Sequence, residues 1–468
     1  MNCLRLPWLR CAPASVTLML LAVAPGLATA EEAVVDNAQL QQQIDALNAR
    51  LKELEKAPPA TPVAVPAHGG GVSGLSFGVY GEMKFGAQQN AADDGSWQNG
   101  FDGARLTLLP SYQINDVLLF KAEIEFEHGG LAFDADDKLG GAIEIEQAYI
   151  DLTVNEYFHW RMPGIDLIPF GYTNLMHEPT LFYSVNRPEL AEGLIPTTWW
   201  AGATSVHGNV VGSLSYQFQV STSIIDNGGH VNDTTEANGP AALGYEAGIS
   251  GTEALGLSRA PVGDFKQQNN QLAYALRLAY AVPGASGLHG SSSVYFSPDI
   301  EPRGAYASDA NNVKIGELGS CALTMVDTEM RYRPQSDGLE LRAEAVGVAF
   351  SNPGNMRANN DGDAENNVGS TMWGISGEIA WHCHWPGANG WELVPFYRYT
   401  GESRQNEGFD GADVNQPTGA GRLNYHTIGL AVFPAPSVVL KVDYQAVRDG
   451  SADGPKSDHV LGGVGFFF

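Results

Sequence analysis

Four groups of side chains in this chain could do chemistry. His382, Cys383 and His384, bracketed by Trp381 and Trp385, have the composition of a transition-metal cluster. On a strand, however, His382 and His384 share one face and Cys383 points to the other, so the three cannot hold one ion. The plainer reading places the tryptophans outward and the imidazoles inward. Asp361, Asp363 and Glu365 alternate like the start of a calcium loop, and Asp134, Asp136 and Asp137 cluster similarly. Both runs are incomplete, and solvated acidic loops explain them. Ser205 and His207 would share a strand face as a nucleophile and base must, but no acidic or amide partner is evident in the sequence. There is no Gly-rich phosphate loop. No metal site, no cofactor and no catalytic residue is expected.

The fourth group is the largest. Basic Lys84, Arg105, Lys121, Arg161, Arg277, Arg331, Arg333, Arg342, Arg398 and Lys441 stand in segments that alternate with period 2. So do acidic Glu82, Glu123, Glu125, Glu127, Asp327, Glu329, Glu340, Glu344, Glu378 and Asp443. Lys121, Glu123, Glu125 and Glu127 oppose Leu118, Phe120, Ala122, Ile124 and Phe126 along one segment. A face of repeated full charges against an apolar face flanked by Trp and Tyr describes a wall with water on one side and lipid on the other. Rows of opposite charge set ion preference, and their near balance here points to weak selectivity.

Strands are expected near 75–87, 101–113, 117–127, 142–154, 158–171, 198–209, 212–224 and 271–282. Eight more are expected near 289–299, 321–333, 339–350, 371–383, 391–400, 423–433, 437–447 and 459–468. The fold class is therefore all-β, a transmembrane antiparallel barrel of about 16 strands, wide enough for an aqueous channel. Short turns, such as Asn115-Asp116 and Asn155 to Tyr157, alternate with long loops, which is the asymmetry of outer-membrane barrels. Val460, Val464, Phe466 and Phe468 alternate as a closing strand would. Cys321 falls at the outer end of one strand and Cys383 at the inner end of another, levels roughly 25 Å apart. A disulfide spans about 7 Å at most, so two free thiols are expected.

The N-terminal part has separate pieces. Residues 1–30 read as a signal peptide, with Arg5 and Arg10 before an apolar run and Ala28-Thr29-Ala30 as a cleavage site. In residues 31–56, Leu40, Ile44, Leu47, Leu51 and Leu54 form a heptad seam, read as a short periplasmic coiled-coil stalk that assembles as a trimer, the alternative being a single amphipathic helix lying on the barrel; peptidoglycan is its partner in the tethered reading below. Residues 57–73 are a Pro/Gly linker, and 74–468 the barrel. The net charge of -27, with 17 % charged residues, disfavours a nucleic-acid partner and suits a cell envelope. The expected partners are outer-membrane lipid, small hydrophilic solutes and further copies of the chain, in the outer membrane of a Gram-negative bacterium.

Tyr172 to Thr197 is too apolar for an external loop, with Leu175, Met176, Leu181, Phe182, Tyr183, Leu194 and Ile195. Folded into the barrel, it would pack those residues on the wall and present His177, Glu178, Asn186, Arg187, Glu189 and Glu192 to the channel as a constriction. With Pro169-Phe170-Gly171, His177-Glu178-Pro179, Asn186-Arg187-Pro188 and Ile195-Pro196-Thr197-Thr198-Trp199, the stretch resembles the phosphate-selective porin O and P family. The resemblance implies a trimeric 16-stranded porin with inward loops and pore-lining basic residues, a role that Arg161 and Arg187 could match. The family's lysine-rich cluster is missing here. The expectation is a passive diffusion channel with at most an anion or phosphate preference. The alternative is a structural barrel tethered to the cell wall through the coiled coil.

Overall fold

A computed structural model describes residues 74–89, 96–129, 141–196, 198–224, 271–282, 287–300, 320–352, 355, 370–385, 390–406, 422–449 and 456–468. The signal peptide, coiled coil, linker, loop 225–270 and the acidic runs at 134–137 and 361–365 lie outside the described residues.

Sixteen strands run β1 (Leu75–Gln89), β2 (Trp97–Gln113), β3 (Leu118–Glu127), β4 (Ile143–Asn155), β5 (Phe158–Leu167), β6 (Trp200–Val211), β7 (Leu214–Thr222) and β8 (Leu272–Ala281). The rest are β9 (Leu288–Ser297), β10 (Leu323–Tyr332), β11 (Gly338–Phe350), β12 (Thr371–Trp385), β13 (Trp391–Asn406), β14 (Arg422–Ala435), β15 (Val438–Asp449) and β16 (Lys456–Phe467). Each pairs antiparallel with its sequence neighbours, and β1 pairs with β16 to close the barrel. Between β5 and β6 lie two single-turn helices, α1 (Tyr172–Leu175) and α2 (Leu190–Gly193). No helix among the described residues is long and apolar enough to cross a membrane; the strands make the crossing.

The period-2 pattern makes this wall because alternate side chains point to opposite faces. On β8, Leu272, Tyr274, Leu276, Leu278 and Tyr280 are exposed outward, while Ala273 and Ala275 are buried inward. Trp373, Trp381, Trp385 and Trp391 stand on the outer face, as girdle residues do. Short turns are set locally. Asn115 Oδ1 accepts the amides of Val117 and Leu118, each at 3.0 Å, turning β2 into β3. Asn155 Oδ1 does the same for Tyr157 at 2.9 Å between β4 and β5. At the seam the Val79 amide donates to Phe468 O at 2.7 Å and the Phe468 amide to Val79 O at 2.9 Å, so the last residue is held in the ladder.

Strand ends depart from the sequence expectation in two ways. At their outer ends β13 and β15 continue to Asn406 and Asp449, beyond residues 400 and 447. Backbone pairing continues past the apolar stretch that marks membrane depth. In the opposite sense, β5 stops at Leu167, not at 171, and β6 begins at Trp200, not at 198. There the chain leaves the wall and turns into the lumen. Gly171 at φ 73° makes the turn, a conformation that glycine adopts without strain.

Neither Cys321 nor Cys383 is in a disulfide; the first is buried and the second exposed on the outer face. In detergent, a small apolar maleimide is expected to label Cys383 within minutes and Cys321 only after denaturation, these being the two thiols from residue 31 onward. A single rate for both would contradict this placement.

Candidate functional site

Residues 168–199 form a strap across the lumen, held at its root, at two polar anchors and along an apolar face. The root is a clamp. The Ile168 amide donates to Trp199 O at 2.8 Å, and Asn174 Nδ2 donates to Ile168 O at 2.8 Å. Asn174 Oδ1 in turn accepts the Trp199 amide at 2.5 Å. One buried amide side chain thus joins the outgoing and returning limbs.

The first polar anchor is His177, buried against β1, β2 and β3. Its Nε2 lies 2.9 Å from Tyr80 Oη and 3.3 Å from Glu123 Oε1, and Tyr80 donates to Glu123 Oε1 at 2.7 Å. Its Nδ1 lies 2.9 Å from Asn174 O, and its carbonyl accepts Arg105 Nη2 at 2.5 Å. Burial alone would lower the imidazole pKa, but the hydrogen bond and charge of Glu123 outweigh it and raise the pKa.

The second anchor is Glu189, buried on the far side of the lumen against β13, β14 and β15. Arg398 grips it with Nε at 2.9 Å and Nη2 at 3.1 Å. Thr400 Oγ1, Thr427 Oγ1 and Gln445 Nε2 add hydrogen bonds at 2.7, 3.0 and 2.8 Å. Both carboxylate oxygens are saturated. Burial would raise this carboxyl's pKa, and the Arg398 guanidinium more than reverses that, holding it below the usual carboxylate range. Arg398 also donates to Ser184 Oγ at 2.7 Å and Glu378 at 3.0 Å. A fork-on-carboxylate pair of this kind fixes direction as well as distance.

Between the anchors the strap follows the wall. Phe182 lies under Lys441, whose Nζ is 3.6 Å from the ring centre, and the Val185 amide donates to Asp443. Tyr183 donates to Glu340 at 3.0 Å, approaches His382 at 3.2 Å and packs on Phe396 and Phe433. Ile168, Phe170, Leu190, Leu194, Ile195 and Trp199 cover an inward apolar patch that includes Ala273, Tyr295, Met325, Val346 and Met372. Glycines make room for this footprint. A side chain at Gly374 would collide with Leu190 and Leu194, and a Cβ at Gly465 would lie 2.6 Å from Pro179 Cβ. An inward glycine inside a strand marks a close approach, and this was the signal for the footprint that the sequence reading did not use.

The six expected constriction residues therefore fare differently. His177, Arg187 and Glu189 are buried between strap and wall instead of facing open water. They lie there because each bonds a wall or strap partner. Arg187 donates to Thr198 Oγ1 at 2.6 Å and holds that residue at φ 39°, strained for a β-branched side chain. Glu178 is half-buried and lines a cavity of about 810 Å³ together with Lys121, Arg161 and His159. Asn186 is half-buried and its carbonyl accepts Ser184 Oγ. The Glu192 side chain lies outside the described residues. A second cavity of about 490 Å³ is lined by Tyr172, Arg277, Glu329, Arg331, Glu344 and Glu378, among others.

Most wall cations are paired. Arg105 meets Glu82 at 2.9 Å and Glu125 at 3.8 Å; Arg161 meets Asp166 at 2.8 Å. Arg277 bonds Glu329, Arg331 meets Glu340 at 2.8 Å, and Arg333 meets Glu392 at 2.8 Å. Arg342 bonds Glu340 and lies over the Tyr183 ring at 4.4 Å. His382 and His384 point inward onto Glu340 and Asp337. His207 does have an acidic neighbour, Asp151 at 2.9 Å, which the sequence spacing did not reveal. Ser205, however, donates to Asp166 at 3.2 Å, so its hydroxyl serves that carboxylate.

No protein-family model matches the sequence. An uncharacterized protein of Aquifex aeolicus is 32 % identical over 260 residues, covering 53 % of this chain and 56 % of that one, about half of each. Among solved structures, the outer membrane channel DcaP of Acinetobacter baumannii aligns with 85 % of this chain and 99 % of its own, at 12 % identity and a TM-score of 0.50. OprB of Pseudomonas putida covers 91 % of this chain and 97 % of its own, at 11 % identity and a TM-score of 0.49. The fold is that of the outer-membrane porins.

Removing one partner of a buried pair leaves an uncompensated charge and costs about 3–5 kcal/mol. Glu189→Ala should release the second anchor without unfolding the barrel, seen as faster proteolysis within 172–197 at unchanged heat-modifiable mobility. Gly374→Leu should release the same limb by steric exclusion.

The pKa shifts predict a pH window for docking. Glu189, depressed, stabilises docking above the ordinary glutamate pKa, and that contribution is lost as pH falls through its folded value. His177, raised, stabilises docking below the ordinary histidine pKa, and that is lost as pH rises through its folded value. Protection of 172–197 from protease should therefore peak between the two and decline on both sides.

Proposed function

We propose that this chain is an outer-membrane porin, a non-enzymatic channel through which small hydrophilic solutes and ions diffuse passively, narrowed by the strap of residues 168–199. The observation that carries this reading is the strap itself. It enters a closed barrel, is held by saturated polar anchors on opposite sides, and leaves charged cavities of about 490 and 810 Å³ beside it. A purely structural barrel has no need to spread both signs of charge along such cavities.

Selectivity by charge should be weak. Arginines that would attract anions are already bonded to carboxylates, so the field that a solute meets is largely cancelled. A phosphate preference like that of the porin O and P family would rest on basic residues left facing the cavities, of which Lys121 is the exposed example. Three-fold assembly and a periplasmic stalk of residues 31–56 complete the proposal. The breadth of the strap's contacts favours one second reading, a largely plugged barrel that anchors the stalk to the cell wall.

Single-channel recording of the purified protein in a planar bilayer under a KCl gradient separates the two. Conductance steps in threes with a reversal potential within a few millivolts of zero are the expected outcome. A folded but silent protein supports the anchor. Arg187→Gln should leave the reversal potential unchanged and increase current noise, because Arg187 holds the returning limb and does not face the solute.

A further inference from the structure

Strands β10 and β11 bring three acids together on the inner face. Asp327 and Glu329 are two residues apart on β10, and Glu344 stands directly opposite Glu329 on β11. Like charges directly opposite each other destabilise a sheet, so this arrangement needs something to neutralise it. One oxygen from each of the three lies within 4.8 Å of the others. Asp327 is 0 % exposed.

The available donors do not suffice. Glu329 Oε1 is engaged by Arg277 and Ser291. Among the described residues no donor reaches Oδ1 or Oδ2 of Asp327, Oε1 of Glu344 or Oε2 of Glu329. Arg342 and Arg398, which line the same cavity, are bonded to Glu340, Glu378 and Glu189. Three carboxylates against the single Arg277 leave two negative charges buried. One shared proton would still leave one, and an uncompensated buried charge is costly. A second proton or a divalent cation leaves none, and calcium or magnesium binding distinguishes the two.

We propose that Asp327, Glu329 and Glu344 bind a divalent cation of the hard class, calcium or magnesium, in the pore wall at the root of the strap. Ligand atoms 2.3–2.6 Å from one calcium can be no more than roughly 5 Å apart, and the three acids meet that limit. An all-oxygen set excludes ions that require sulfur or imidazole. Glu329 and Glu344 line the cavity of about 490 Å³, which supplies an entry path, while Asp327 closes the back. The Cβ position of Gly171 is 3.8 Å from Glu344 Oε1, so the ion sits where the chain turns inward and ties wall to strap. Two other clusters are weaker candidates. Glu123, Glu146 and His177 belong to the first anchor. Asp151, His159 and His207 hold a single carboxylate, which the Arg161 guanidinium at 3.7 Å already balances, so no negative charge is left over for a cation.

The test is calcium and magnesium binding to the full mature chain in detergent by titration calorimetry, after chelator treatment, in about 0.1 M KCl to screen the acidic surface. The proteins compared are wild type, Asp327→Asn/Glu344→Gln, and the loop control Asp361→Asn/Asp363→Asn. One saturable site per chain, lost in the first variant and kept in the control, is the expected result. Should the double variant fail to show folded mobility, Glu344→Gln alone is measured, with binding expected to weaken at least tenfold. Equal isotherms for wild type and the wall variant, or no binding of either ion to wild type, would overturn the proposal. The readout needs no conductance, so it stands apart from the porin reading.

Discussion

A backbone amide or carbonyl in hydrocarbon has no water to bond, so every one must be paired by the protein. That constraint shapes this chain throughout. It requires sixteen strands to close, and it makes the β1–β16 seam, with Phe468 in register opposite Val79, as necessary as any other pair. Closure in turn creates an inside. The outer face is apolar because lipid is, and the inner face is free to carry charge.

An interior this wide cannot be filled by the wall's own side chains. The strap partly fills it, and the wall is built to receive it. Apolar inward residues on β8 to β12 meet its leucines and Trp199, and inward glycines on β12 and β16 admit its Leu190, Leu194 and Pro179 side chains. Polar inward residues on β1 to β3 and β13 to β15 hold His177 and Glu189. Buried ions on a strap resting against a charged wall are tolerable only when each is paired and its remaining lone pairs are satisfied. Glu189, with both oxygens saturated, meets that condition.

Much of the wall was legible in the chain. Alternation over segments such as Leu272 to Tyr280 gave both strand and facing, because a strand's period is local and does not depend on its neighbours. Turns at Asn115 and Asn155 were readable for the same reason. The strap's inward course was also readable, since Leu175, Phe182, Leu194 and Ile195 have no place in an external loop. Strand ends at 167 and 200 were not, because where the chain leaves the wall depends on contacts around Gly171 and Asn174 that lie across the loop. The acidic partner of His207 was hidden likewise, since Asp151 is 56 residues away and reaches it across β5.

By itself the sequence determined the class of architecture, the apolar and polar faces, the even strand number and the segment that enters the lumen. All of these follow from periodicity and composition within short windows. Only the tertiary structure decided which charges face a solute. Arg187 and Glu189 look like a filter in one dimension, but in three they are fastenings, because Arg187 bonds Thr198 and Arg398 grips Glu189. Glu344 looks like one of many wall acids until the register sets it against Glu329. Charge in a sequence is a property of residues; the field in a pore is a property of pairs, and pairing is settled by register and by the path of the strap.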